Sequence, residues 1–408
     1  MGPVLANYNL GEFLPYLIYL LIGFFFGFVL EIAGFASSRK LAAQFYFKDM
    51  TVLKVMFSAI VVAMVGIFWA ASVGLLDYNL IWVNPTYLLP GIVGGLIMGA
   101  GFIIGGFCPG TSLVSLATFK IDGLFFALGA LFGIFVFGET VDSFAGFWNS
   151  TYLGRFTLPE LFGVDAGMVV ALVVVMALAM FLGAEKLESI FGDKPGLRAP
   201  RIRFAGGGAL FLAAAGLILA GQPSNADRWS RMAAEKEPLL TGREVYIHPG
   251  EMIEIMHNER LNVLPLDVRE EADYNLFHLE GARLAPINEL PALAADILLE
   301  PPNTVYVVMS NDERRAEDAW RLLVAENVPN VYILEGGLNY WLDLFGGDDA
   351  TVTPLAAPAG ADQLRYIFPS AVGERHPLAD PDPHLYELEY LPKVKLELNS
   401  GPASGGCG

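Results

Sequence analysis

Six stretches of this sequence are long and apolar enough to cross a bilayer, for which about 20 residues suffice. They run roughly 13–33, 52–75, 87–106, 123–147, 167–186 and 204–221. A backbone in lipid must satisfy its hydrogen bonds within the segment, so each is expected to be a helix. All six lie in the first 221 residues. That half holds 11 Lys+Arg and 12 Asp+Glu and is nearly neutral, whereas residues 222–408 hold 14 and 31. Almost the whole net charge of −18 therefore falls behind the apolar half. A split of this kind marks a domain boundary. The expected fold class is a polytopic α-helical membrane domain over 1–221, followed by a small α/β domain. The acidic second half argues against nucleic acid and anionic lipid as partners. No Lys or Arg precedes the first apolar run, so no secretory leader is expected.

Two pieces between the long runs, 36–47 and 109–119, are too short to cross and too apolar for ordinary loops. Half-helices of this kind are tolerated at membrane depth where they line a protein cavity. They belong to an internal repeat. A shift of 72 residues pairs Gly23 with Gly95, Gly27 with Gly99, Gly34 with Gly106, Phe35 with Phe107, Leu41 with Leu113, Phe47 with Phe119, Lys48 with Lys120 and Gly66 with Gly138. Each unit reads as a span, a Gly-Phe break, a short helix, Phe-Lys and a second span. Interrupted segments at matching places in a repeat point to a transport site. Glycines that merely let helices pack closely are the plainer reading.

Lys and Arg in short connections set membrane orientation. Arg39, Lys40, Lys48, Lys54 and Lys120 lie near the half-helices, and Lys186, Lys194, Arg198, Arg201 and Arg203 lie between the fifth and sixth runs. The connection 76–86 has none, and Arg155 stands alone in its segment. The bias puts both ends outside the cytoplasm, in the periplasm of a bacterium with the spans in its inner membrane. Basic residues at the half-helices can instead line a path.

The second break carries the first of the chain's two cysteines, Cys108. Pro109 suits a first helical turn, where no backbone donor is needed. Gly106 permits the break, and Gly110, Thr111 and Ser112 are expected to offer N–H groups at a helix start, which attracts anions. A thiol there can donate a weak hydrogen bond to such an anion. The element Gly105-Gly106-Phe107-Cys108-Pro109-Gly110-Thr111 resembles that of the YeeE/YedE family of thiosulfate transporters, over roughly residues 14–147 and more loosely to 221. The resemblance implies spans with short half-helices in pseudo-symmetry, and a thiol that holds the terminal sulfur of thiosulfate in passage. It carries over to Cys108 alone. The first repeat has Ala36 in the matching place, so a relay of several cysteines is absent.

Residues 222–244 read as a linker. Beyond them short apolar runs alternate with helical pieces. Strands are expected at 263–266, 305–309 and 331–334 and a helix at 316–325, giving a parallel sheet in a domain over 245–347. Asp267, Arg269, Tyr274, His278, Gly281 and Ala282, with Gly336-Gly337 and Trp341 further on, resemble the spaced elements of rhodaneses. The resemblance implies an active loop after the strand 305–309, with a cysteine first and an arginine opening the next helix. Here Ser310 holds the cysteine position and Arg315 the arginine position. A serine cannot carry a persulfide, and Asp312 and Glu313 bring negative charge to a loop that should attract anions. The expectation is a degenerate loop without sulfurtransferase activity, in a domain that binds, docks or gates.

Residues 348–408 form a Pro-rich extension and a tail ending Gly405-Gly406-Cys407-Gly408. That ending resembles the swinging arm of SoxY-type sulfur carriers, which implies that Cys407 presents or accepts sulfur. Ten tail residues would reach on the order of 20 Å. An incidental tail cysteine is the alternative. The five histidines all follow residue 247, and neither a phosphate-cradling loop nor a metal-ligand cluster is present, so neither cofactor nor metal is expected. The leading function is transport of thiosulfate or a related reduced-sulfur anion, with a sulfur-carrier protein as a possible partner. A membrane-anchored sulfurtransferase and a docking or sensor protein are the alternatives.

Overall fold

The computed structural model describes residues 13–81, 83–192, 201–301, 303–347, 349, 351–355 and 360–396. The chain divides between Gln222 and Pro223 into two compact units.

Among the described residues of the first unit, five helical stretches are long and apolar enough to cross a membrane: Phe13–Ala33, Thr51–Ser72, Leu88–Ala117, Ile121–Trp148 and Ala166–Phe191. A further apolar helix follows at Arg201–Ala220. We label the helices α1 (Phe13–Ala33), α2 (Ser38–Ala43), α3 (Thr51–Ser72), α4 (Leu88–Gly105), α5 (Pro109–Ala117), α6 (Ile121–Thr140), α7 (Ala166–Phe191) and α8 (Arg201–Ala220). No residue of α1 is buried, and Phe24, Phe25, Phe26 and Phe28 lie open. An apolar face of that size is a liability in water and ordinary against hydrocarbon.

Helices α3, α7 and α8 share a core of Val61, Val65, Val170, Val174, Ala177, Ala214 and Leu217. Small residues set their approach. A Cβ on Gly167 would come within 2.9 Å of the Leu217 carbonyl oxygen, and one on Gly216 within 2.9 Å of the Trp69 ring. Close backbone approach of this kind is how helices associate in lipid. The Trp69 indole donates to the Ala213 carbonyl at 2.9 Å, and Lys54 pairs with Glu188 at 2.7 Å.

The expected half-helices are both present. The first is α2 with a 3-10 turn at Gln44–Tyr46, and the second is α5. The repeat extends to the backbone. Gly34 and Gly106 take φ of 85° and 70°, and Phe47 and Phe119 both take φ of 56°. A left-handed conformation is uncommon for a non-glycine residue. Its recurrence 72 positions apart shows that both half-helices end by the same turn.

The second unit holds a five-stranded parallel sheet in the order β1-β5-β4-β2-β3. Its strands are β1 (Tyr246–Ile247), β2 (Asn262–Asp267), β3 (Arg283–Leu284), β4 (Thr304–Met309) and β5 (Val331–Leu334). The expected strands are β2, β4 and β5; the two-residue edge strands are too short to give a period. Apolar clusters cover both faces, as a parallel sheet requires. One gathers Val305, Val307, Leu334 and Trp341, the other Val308, Ile333, Trp320 and Leu323.

Two segments differ from their reading in the sequence. Residues 222–244, read as a linker, contain helix α9 (Asn225–Thr241). Ser224 and Asp227 form a capping box at its start, with Ser224 N donating to Asp227 Oδ2 at 2.9 Å. Trp229 packs edge-to-face on Trp320, with ring centroids 6.0 Å apart, and Leu240 is buried. Polar composition masked an amphipathic face. Nor does the core stop at 347. Val352, Leu364, Phe368, Leu378 and Ala379 are buried in it, and the Trp341 indole donates to the Leu378 carbonyl at 2.8 Å. Further on, Glu251 Oε1 accepts from the amides of Lys393 and Val394, both at 2.8 Å.

Candidate functional site

Helix α4 ends at Gly106, whose left-handed φ turns the chain back. A Cβ there would come within 3.1 Å of the Ser38 carbonyl oxygen, so the second break lies directly on the first half-helix. Phe35 and Phe107, equivalent in the repeat, are both buried in one cluster with Leu41 and Val52. Two further contacts join the repeats. Ser38 Oγ donates to Asp122 Oδ2 at 2.9 Å, and Lys120 Nζ donates to the Ala36 carbonyl at 3.0 Å. Lys40 Nζ donates to the Ala33 carbonyl at 2.8 Å. Lysines read for orientation thus serve the carbonyls left open by the first break. The pairing of Ser38 with Asp122 was not legible in the sequence, because it spans 84 residues.

Cys108 is the N-cap of α5, with extended φ and ψ of −97° and 169°. Its amide donates to Thr111 Oγ1 at 2.9 Å, and the Thr111 amide donates to its Sγ at 3.4 Å, a reciprocal capping box with sulfur in place of oxygen. Sγ and Thr111 Oγ1 lie 3.3 Å apart. Pro109 takes the first helical position. The Ser112 amide donates to the Cys108 carbonyl at 3.0 Å and its hydroxyl to the Pro109 carbonyl at 2.7 Å. Of the three amides expected to face an anion, those of Thr111 and Ser112 are engaged locally. Cys108 itself is half-buried. The sequence places Cys108, Gly106, Pro109, Gly110, Thr111 and Ser112 in one element, and the structure brings Ser38 against it. Beyond them Ser115 is buried on Gly123, where a Cβ would fall 2.5 Å from Ser115 Oγ.

In the second unit the loop after β4 is filled by the chain itself. Ser310 is buried and its hydroxyl donates to the Asp312 carbonyl at 2.6 Å. Arg269 is buried, paired with Asp267 at 2.7 Å and donating to Asn311 Oδ1 at 3.1 Å. Gly337 takes φ of 63°, and a Cβ there would strike the carbonyls of Asp312 and Ser310, at 2.5 and 2.6 Å. Arg315, near the start of helix α10 (Arg314–Ala325), meets Asp362 at 2.8 Å and Glu270 at 3.0 Å. The expected repulsion by Glu313 is absent. Its carboxylate turns to Arg243, at 2.6 and 3.0 Å, and to the Gly336 amide at 2.7 Å. Burial alone would raise the Glu313 carboxyl, but the Arg243 and Gly336 bonds outweigh it and hold the group below its ordinary value. Cys407 lies outside the described residues. Among the described residues no cluster of His, Cys, Asp or Glu is placed to hold a metal ion.

These features define a multi-pass membrane protein with interrupted helices and an appended parallel α/β domain. Residues 33–221 match the family described as sulphur transport, and residues 248–344 match the rhodanese-like domain. The chain therefore carries a sulphur transport (YeeE/YedE) domain followed by a rhodanese-like domain. The family match runs through α7 and α8, which the motif at Cys108 tied in only loosely. Over 144 residues the chain is 28% identical to the thiosulfate transporter TsuA of Spirochaeta thermophila, across 34% of this chain and 40% of that protein. It thus spans less than half of that relative's length. No solved structure matches the chain with significance.

Proposed function

We propose that the chain moves thiosulfate, or a closely related reduced-sulfur anion, across a bacterial inner membrane, with Cys108 at the constriction. One observation carries this reading. A half-buried cysteine caps a half-helix inside an apolar domain, at the point where the repeats touch through Gly106 and Ser38. The helix start favours an anion, and sulfur meeting sulfur distinguishes a sulfane anion from sulfate. The rhodanese-like domain, with Ser310 in the cysteine position, binds or docks a sulfur carrier and has no sulfurtransferase chemistry of its own.

The direct test is uptake of radiolabelled thiosulfate into proteoliposomes. Cys108→Ala should lower uptake by at least about tenfold, a loss of ~1.4 kcal/mol of stabilisation, with unchanged expression and melting. Wild-type uptake by a well-folded Cys108→Ala protein would sink the assignment. The tail thiol tests orientation separately. With both chain ends outside the cytoplasm, an impermeant thiol reagent labels Cys407 in intact cells. Labelling only after the inner membrane is opened would reverse the topology.

A further inference from the structure

The two repeats meet at their breaks and differ there in chemistry. In the second repeat Cys108 follows the break, and the Ser112 hydroxyl donates to the Pro109 carbonyl at 2.7 Å. In the first repeat the matching positions hold Ala36 and Lys40. Lys40 Nζ donates to the Ala33 carbonyl at 2.8 Å, and Lys120 Nζ crosses from the second repeat to the carbonyl of buried Ala36 at 3.0 Å. Two ammonium groups thus gather on carbonyls of a single break. Gly34 makes room for one of them, since a Cβ at its φ of 85° would lie 2.7 Å from Lys40 Nζ. Lys120 turns inward although its neighbours Phe119 and Ile121 are 95% and 71% exposed. A lysine on an apolar membrane surface ordinarily extends outward to water. Among the described residues neither ammonium is in an ion pair. The acid two residues beyond Lys120, Asp122, accepts from Ser38 Oγ and from the Gly123 amide.

We propose that the first break is the charged half of a two-part anion site whose thiol half is Cys108, with Lys40 and Lys120 holding the oxyanion end of a thiosulfate-like dianion. The inference rests on the transport reading above for its anion, and adds the residues that carry the charge. An ammonium within a membrane domain is costly without a counter-charge, and marks a functional position by default. The end of α1 attracts one cation through its open carbonyls, which accounts for Lys40 at Ala33. It does not call for a second cation brought to Ala36 from 84 residues away. Each ammonium carries three donors and commits one to a carbonyl, so an anion can be taken up without breaking the contacts that shape the site. The division of labour also matches the ligand. Thiosulfate presents oxygens at one end and a terminal sulfur at the other, whereas sulfate presents oxygens alone. One repeat supplies ammonium groups and the other a thiol, and they adjoin where Gly106 lies on Ser38.

The test pairs initial uptake of radiolabelled thiosulfate by the full-length protein in proteoliposomes with equilibrium dialysis of radiolabelled thiosulfate and sulfate in detergent. Lys120→Gln keeps a donor for the Ala36 carbonyl and removes the charge. It should raise KM for thiosulfate at least about tenfold, a change of ~1.4 kcal/mol, and weaken binding in dialysis by a similar factor. Lys120→Arg should keep both close to those of the unaltered chain. A lysine that only capped a carbonyl would change the melting temperature and leave KM as it was. Cys108→Ala, with both lysines in place, should bind sulfate and thiosulfate alike. Lys40→Gln is read in the same way if Lys120→Gln does not fold. An unaltered chain that takes up no thiosulfate would defeat the transport reading, and the dialysis then decides this inference alone. Unchanged thiosulfate binding by folded Lys120→Gln and Lys40→Gln proteins, equal losses in the Gln and Arg variants, or no anion binding by the unaltered chain would overturn it.

Discussion

At Gly106 one atom decides the local structure. The residue has φ of 70°, and a Cβ would press on Ser38 from 3.1 Å. Left-handed backbone costs an L-residue roughly 1–2 kcal/mol before any clash. Gly106→Ala should therefore destabilise the membrane unit by about 2 kcal/mol or more and reduce thiosulfate uptake, read as a lower melting temperature in detergent alongside the proteoliposome assay. Gly99, where a Cβ meets no atom within 4 Å, is the control, and Gly99→Ala should be near neutral. The motif around Cys108 was legible because Gly-Gly, Cys and Pro are adjacent in sequence and each has a local meaning. Sulfur as a capping acceptor was not, since the preference for Ser, Thr, Asp or Asn at that position does not anticipate Cys.

Helices and strands were legible where their pattern is long. Spans of about 20 apolar residues and strands buried on both faces announce themselves. Helix α9 was not legible because its Ser-x-x-Asp start lies in a polar stretch without a long apolar run. The clamp of Arg243 on Glu313 shows what pairing between elements adds. Arg243 precedes β1, Glu313 precedes α10, and 70 residues separate them. The carboxyl is held below its ordinary value, so its contribution to stability is present above the unfolded value near 4.5 and lost as pH falls through the lower folded value. With solvent screening, a contribution of roughly 1 kcal/mol is expected. Glu313→Gln should lower the melting temperature at pH 7, and the gap from the unaltered chain should close as pH drops below about 4. A gap that stays constant with pH would place the effect elsewhere.

The two units were separable in the sequence by charge, and their families by spaced motifs. The contact of Asp362 with the loop after β4 was not, because a single acid in a Pro-rich stretch carries no local signal about a partner 50 residues away. The same stretch supplies core. Truncation after Gly347 would remove Val352, Leu364, Phe368 and Leu378 and leave the Trp341 indole without its acceptor. Losing several buried apolar side chains costs well over about 5 kcal/mol, comparable to the stability of a whole domain. The truncated chain should fail to give a cooperative melt for the second unit and should aggregate, as shown by size-exclusion chromatography in detergent. Synthesis makes the same cut transiently. While the ribosome is still adding residues 350–380, the residues of β1 to β5 have been joined but the face beside Trp341 has no cover. The sheet is expected to close stably only after the paired strands Thr353–Pro354 and Tyr366–Ile367 and the Leu378 turn have emerged. Domains made from the N-terminus generally fold as units, so the last-made third acts as the timer for this one, and the membrane helices are all complete before it can settle.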